Sequence, residues 1–257
     1  MNSSQYLHLT YRKIRLMAGV ALILAPVLII LVAWLQHQII LPSLSHYYFA
    51  EVHPGFLRTA FTGFLILVGG LMIAYRGFDD KDNTIHNLAG MFSVCVALFP
   101  KRCDEHDIAC VITPLWILHA PAAVLMFLAA AYAVYYAGGP TLSSQLTDNE
   151  RALLKKWRVV ALLGMTSGVA AYAPFLLAGS KQFLPPTGIL IIEMTGFFGF
   201  AFYWLGVTYV IYRANERRAG KGDVRPSTKA DESPGWSVVR GIDEAAVGSS
   251  ETPNPIP

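Results

Sequence analysis

The chain has 257 residues, 54% of them hydrophobic and only 14% charged, with a mean hydropathy of +0.44. Soluble domains carry about 25% charged residues. Here the 20 basic and 17 acidic residues lie almost entirely between long apolar runs. That excludes a soluble enzyme, a nucleic-acid binder, a disordered chain and a disulfide-dense secreted module, and leaves an all-α polytopic transmembrane helix bundle.

A membrane-crossing helix needs roughly 20 apolar residues to span about 30 Å of hydrocarbon. Six runs meet or approach this, at about 16–38, 59–75, 85–100, 111–136, 159–178 and 188–212. The third is short and ends at Pro100. The runs are continuously apolar, unlike the alternating strands of a membrane barrel. A helix satisfies its backbone polar groups within the segment, as lipid demands. Arg12, Lys13 and Arg15 resemble the basic start of a signal peptide. The run behind them is too long for one and lacks a small-residue cleavage site, so it reads as a retained span.

Basic residues favour the cytoplasmic side. Six spans place both termini on one side. That side takes residues 1–15, Arg76, Lys81, Arg151, Lys155, Lys156, Arg158 and the basic residues from Arg213 onward. The other takes only Arg58, Lys101, Arg102 and Lys181. Both termini are therefore expected in the cytoplasm. Residues 213–257 are rich in Gly, Pro, Ser and charge without an apolar period, and read as a disordered cytoplasmic tail. The basic start of that tail suits anionic headgroups.

Before the fifth span, Thr147 and Glu150 have the spacing of a capping box. A short interfacial helix is expected there, running into the span with Trp157 at headgroup level. Gly164 and Gly168, Gly196 and Gly199, and Ala129 to Ala131 are small residues that let helices approach.

The polar exceptions carry the functional reading. Glu193 is the one formally charged residue inside the six windows. It lies roughly 9 Å below the outer end of its span, and His119 roughly 12 Å below the outer end of the fourth. Arg58 stands at the outer mouth of the second. The outer loop adds Ser43, Ser45, His46, Tyr47, Tyr48, Glu51 and His53, and Tyr172 approaches from the fifth span. An ionisable group in hydrocarbon persists when it faces the bundle interior with a partner, so Glu193 is expected to pair with Arg58 or His119. Pro121 leaves the Ile117 carbonyl without its usual donor. His37 and His86 fall at membrane boundaries and read as interfacial. His8 and His106 lie outside the spans.

No two histidines share a helix face and no H-E-x-x-H occurs. No cofactor is predicted; a zinc ion would have to use His46, His53, His119 and Glu193. Cys95 reads as a packed thiol. Cys103 and Cys110 share an outer loop, and an oxidising compartment predicts a disulfide between them. A metal-binding loop of Cys103, Asp104, His106 and Cys110 is the rival. In the turn 75–83, Gly77 suits a tight bend and Asp82 or Asn83 is expected to cap the third span.

Ser43-Leu44-Ser45-His46-Tyr47-Tyr48 and Arg58-Thr59-Ala60-Phe61-Thr62-Gly63 form an S-x-S-x-Y-Y and R-x-x-F-x-G pair. Tyr75-Arg76-Gly77-Phe78-Asp79, Leu88-Ala89-Gly90 and Ala97-Leu98-Phe99-Pro100 follow in order. Over roughly residues 41–206 this resembles a group of bacterial multi-pass membrane proteins with no established activity, with His119 and Glu193 at that group's recurring His and Glu positions. The resemblance implies fold and a bacterial inner-membrane location. The chain departs from it at Lys101-Arg102-Cys103, where the group has Thr and a Pro-rich turn. A more distant similarity to ceramidase-like membrane hydrolases rests on Ser, Asp, His and the span count; that family's second and third His are not found here at helical spacing.

The leading expectation is a polar pocket open to the outside, lined by Ser45, Tyr47, Tyr48, Arg58, His119 and Glu193, that binds or handles a lipid or small amphiphile. A membrane-embedded hydrolase using Glu193 and His119 is the rival enzyme reading, and a structural or assembly protein the third. Membrane lipids are the expected partners, and no nucleic acid.

Overall fold

The computed structural model describes residues 3–38, 40–50, 55–99, 101, 114–177 and 187–220. The described residues form helices and turns with no strand. Six long helices are present: α1 (Ser3–His37), α2 (Phe56–Ala74), α3 (Asp80–Leu98), α4 (His119–Tyr136), α6 (Asp148–Leu177) and α7 (Gly188–Gly220). A short helix α5 (Gly139–Ser144) links α4 to α6, and 3₁₀ turns occupy Leu44–Tyr48 and Pro114–Leu118. Four segments are long and apolar enough to cross a membrane: Thr10–Gln36, Phe56–Ala74, Leu115–Ser144 and Gly188–Arg218.

The helices close into a ring. α1 packs on α2 and α7, α2 on α3, α3 on α4, and α6 on α7, while α4 meets α6 more loosely. On α1 the inward stripe is Arg15, Ala18, Leu22, Ile29 and Ala33, the spacing of one helix face. Its other face exposes Leu16, Leu24, Leu28, Leu31 and Leu35. Water does not tolerate so long an apolar face on a monomer; lipid does. Small residues bring the backbones together. A Cβ on Gly90 would stand 2.6 Å from the Gly69 carbonyl oxygen, and one on Gly199 2.7 Å from that of Ala161. Gly168 likewise faces the Ile192 backbone. The expected small-residue stripe on the fifth span is thus a contact within the chain, with α7.

The helices start and stop where local chemistry dictates. Asp79, not Asp82 or Asn83, caps α3: its carboxylate accepts from the Asp82 N–H at 2.8 Å. Asp82 points inward instead and accepts from the Phe78 N–H at 3.0 Å. α4 begins only at His119, later than the expected 111, so that Pro121 sits in its first turn, where no intrahelical donor is needed. The capping box forms: the Thr147 N–H donates to Glu150 Oε2 at 2.9 Å, and the Glu150 N–H to Thr147 Oγ1 at 3.4 Å. The expected interfacial helix and fifth span are one helix, α6. Trp157 packs over Gly206 and against Phe202, ring centroids 4.3 Å apart.

α7 runs past 212 to Gly220, which corrects the expected start of the tail. Arg217 makes a forked ion pair with Glu150, Nε to Oε1 at 3.1 Å and Nη2 to Oε2 at 3.2 Å. Arg218 donates to the Gln145 carbonyl at 2.8 Å. These contacts fasten the end of α7 to the start of α6. Arg12 lies 4.8 Å over the Tyr212 ring, so the start of α1 and the end of α7 share one end of the bundle, called here the terminal end. The opposite, plug end carries residues 40–50. Residues 221–257 lie outside the described residues, as do Cys103 and Cys110 with the expected disulfide and its rival metal loop. Cys95 is a free thiol.

Candidate functional site

Residues 41–49 fold back onto the plug end as a short cap, seated on α7 at two points, Glu193 and Leu190, and braced from within by Tyr47. The Leu44 N–H donates to Glu193 Oε2 at 2.6 Å, and the Ser45 hydroxyl also binds that carboxylate. The Leu190 N–H donates to the Pro42 carbonyl at 2.8 Å. The Leu41 N–H donates to the Tyr47 hydroxyl at 3.1 Å, with the Tyr47 ring wholly buried. The intramembrane carboxylate of α7 is therefore the anchor of a loop 149 residues away in sequence. Beneath the cap is a cavity of about 20 Å³ lined by Ser45, Phe61, Met126, Phe127, Glu193 and Phe197 among others, room for about one water molecule.

The six expected pocket residues thus divide. Ser45 and Glu193 meet at the cavity. Tyr47 holds the cap from within. Tyr48 and Arg58 form a separate pair on the surface: Arg58 Nη2 donates to the Tyr48 hydroxyl at 2.7 Å and its guanidinium lies 4.4 Å over that ring. His119 is buried and directs Nδ1 to the Phe99 carbonyl at 2.6 Å, so this nitrogen carries the proton. Its Nε2 has no hydrogen-bond partner among the described residues. The expected Glu193–Arg58 or Glu193–His119 pair is replaced by the cap's own donors. Beside them, Lys101 bonds His46 Nε2, and Ser43 Oγ lies 2.6 Å from His46 Nδ1. An ammonium can only donate. His46 therefore accepts at Nε2 and gives its Nδ1 proton to Ser43. Glu51 and His53 lie outside the described residues. Among the described residues no cluster of three or more His, Cys, Asp or Glu could hold a metal ion.

A second polar cluster, missed from sequence, fills the terminal end. His86, read as interfacial, is 1% exposed, and Asp82 is fully buried one turn before it. The Trp204 indole N–H donates to His86 Nε2 at 3.2 Å. His86 Nδ1 then carries the proton and donates to the Asp82 main-chain carbonyl at 2.8 Å, with Asp82 Oδ1 at 3.5 Å. The Tyr75 ring packs edge-on against His86, 4.8 Å between centroids. Buried Arg15 lies 5.6 Å over the Tyr75 ring and 3.5 Å from its hydroxyl. Arg15 Nε and Asp82 Oδ1 have no hydrogen-bond partner among the described residues. Outside this cluster, Asp79 Oδ2 accepts from the Tyr136 hydroxyl at 2.8 Å, docking the α4 end on the α3 start. One signal was available in sequence: Asp82, His86, Ala89, Gly90 and Ser93 fall on one helix face. Trp204, inside an apolar run, carried none.

The chain matches no protein-family model, and no curated protein or solved structure is significantly similar to it.

Proposed function

We propose that the chain is a six-span protein of the bacterial inner membrane, with cytoplasmic termini, that binds an anionic amphiphile headgroup at its outer, plug end. Two features support the spans beyond the four apolar segments. α3 exposes Leu88, Met91 and Leu98, and α6 exposes Val159, Val160, Leu163 and Val169. These are the faces that lipid contact requires. The basic residues gather at the terminal end, as the cytoplasmic side demands.

One observation carries the ligand reading. Arg58 is exposed in the first turn of α2, held at a fixed attitude by the Tyr48 hydroxyl and ring. A guanidinium has five donors, and the tyrosine takes one. A forked pair remains for a phosphate or carboxylate. Exposed Phe56 beside it offers apolar contact for the chain below such a headgroup. Native mass spectrometry of the purified protein tests the reading. Wild type should retain an anionic lipid that Arg58→Ala loses at equal thermal stability. Equal retention in both would overturn it and leave the structural or assembly reading.

A membrane hydrolase using Glu193 and His119 is supported by the unpartnered, buried His119 Nε2, a free acceptor in reach of the plug end. It requires lipid turnover that Glu193→Gln abolishes.

A further inference from the structure

Two cavities lie one above the other along the bundle axis. The first, under the cap, is lined by Ser45 and Glu193. The second is lined by Leu22, Val68, Ser93 and Phe200, among other residues. Met126, Phe127 and Phe197 line both and form the septum between them. Phe200 then packs on Trp204 at 5.4 Å and His86 at 6.4 Å between ring centroids. One line therefore leads from a carboxylate near the plug end, through two small chambers, to the Trp204–His86–Asp82 cluster. Glu193 and Trp204 both stand on α7, eleven residues apart and so about 16 Å along its axis.

We propose that this line is a proton pathway, closed at rest by the cap, by the Met126–Phe127–Phe197 septum and by the Phe200 ring between the second chamber and His86. The chemistry selects the proton over other cargo. Each chamber is about 20 Å³, the size of about one water; the first offers that water the Ser45 and Glu193 oxygens, whereas the second has only Ser93 as a polar side chain and takes water only while the pathway is open. Ser45 and Glu193 are the polar side chains on the first wall and Ser93 the one on the second, too few to supply the six or more oxygen ligands with which a hard metal cation would replace its water. Ionisable groups buried in a membrane bundle are costly and commonly mark proton relays. Here they stand at both ends of the line.

The steps balance. A proton from the plug side adds to a Glu193 oxygen and forms an O–H bond. The protonated carboxyl loses acceptor strength toward the Leu44 N–H and the Ser45 hydroxyl, and the cap loosens. That O–H bond breaks as the proton passes to water in the chambers. At the far end the proton adds to His86 Nε2 once the Trp204 N–H turns from it. The imidazole releases its Nδ1 proton to Asp82 Oδ1, the buried oxygen that lacks a donor, and the carboxyl discharges it at the terminal end. His86 is left with its proton on Nε2, and tautomer exchange back to Nδ1 completes the cycle and lets the Trp204 N–H donate again. Other groups facing these stations are Lys101 near Glu193, with His46 and His119 beside Lys101, and Arg15, Tyr75, Tyr203 and Asp79 near His86 and Asp82.

Purified full-length protein in vesicles loaded with a pH-sensitive dye tests the pathway. Under an inward pH gradient with potassium and valinomycin to balance charge, wild-type vesicles should acidify faster than protein-free ones. Glu193→Gln keeps the shape and an acceptor for Leu44 but carries no proton, and should fall to the protein-free rate. Gly63→Ala, at an exposed position with nothing within 4 Å of the added carbon, should match wild type. Should Glu193→Gln fail to fold, a hydrophobic carbodiimide on wild type replaces it: modification of an intramembrane carboxyl should abolish the flux. Wild-type acidification at the protein-free rate, or flux indifferent to both Glu193→Gln and the carbodiimide, overturns the proposal.

Discussion

At the plug end a buried carboxylate is partnered by a loop; at the terminal end buried His86 is held between helices, by Trp204 of α7 and the Asp82 carbonyl of α3, and only the Asp82 carboxylate takes a turn N–H, that of Phe78. Glu193 holds the cap through the Leu44 N–H and Ser45 hydroxyl, contacts that a shift of a few residues would release. Trp204 of α7 and His86 of α3 are joined side chain to side chain, His86 in turn holds the Asp82 main-chain carbonyl, and Tyr75 and Phe200 enclose the imidazole. Helix-borne partners move only with their helices, so the terminal end is the stiffer half and the plug end the half that opens first. The same contrast holds at the rims. Arg217 and Glu150 fork together across α6 and α7, whereas Arg58 and Tyr48 pair on the surface of α2 and the cap.

The largest effect should come from the stiffer half. Trp204 is 1% exposed and bonds His86, so Trp204→Ala removes both a large ring and a buried donor. A loss of about 3–5 kcal/mol is expected for such a truncation, read as a collapse of the melting temperature in detergent. Ala at Gly90 comes next. Its Cβ would stand 2.6 Å from the Gly69 carbonyl oxygen, and overpacking of this kind costs about 1–3 kcal/mol. An unchanged melting temperature for Gly90→Ala would show that α2 and α3 are not in such close contact.

The smallest effect is at the Glu150 rim. Burial alone would raise the Glu150 carboxyl, but the Arg217 hydrogen bond and the Thr147 N–H and hydroxyl hold it below its ordinary 4.5. A depressed value means stability that is fully present above the ordinary value and is lost as pH falls through the folded one. Partly exposed ion pairs contribute up to about 1 kcal/mol. Melting temperature followed from neutral pH into the acid range should decline less in Glu150→Gln than in wild type below about pH 4.5. Parallel curves would remove the ion pair from the account.

Much of the fold was legible because lipid imposes one rule on every crossing segment. Each of the six apolar runs falls on a long helix, four of the segments being long and apolar enough to cross a membrane, and the Thr147–Glu150 box reads directly as a helix start. Helix ends were less legible where their cause is distant. Nothing near Arg217 announces that Glu150, 67 residues earlier, will extend α7 to Gly220. At the plug end, Glu193 stood out by depth and Ser45 by its place in the outer loop, and the two do meet. Their partner was misread, because a backbone N–H such as that of Leu44 has no signature in sequence. At the terminal end, Asp82 and His86 looked like turn and interface residues. Their burial follows from Trp204, 118 residues beyond His86, and only packing brings the two together.

Glu193 pins the cap to the bundle through the Leu44 N–H and the Ser45 hydroxyl. Hydrogen–deuterium exchange of the full chain in nanodiscs, wild type against Glu193→Ala, measures this at the amides of residues 41–49. Faster exchange confined to that segment, with α2, α3 and α7 protected as in wild type, is the predicted result. Equal protection of the cap in both proteins would contradict it.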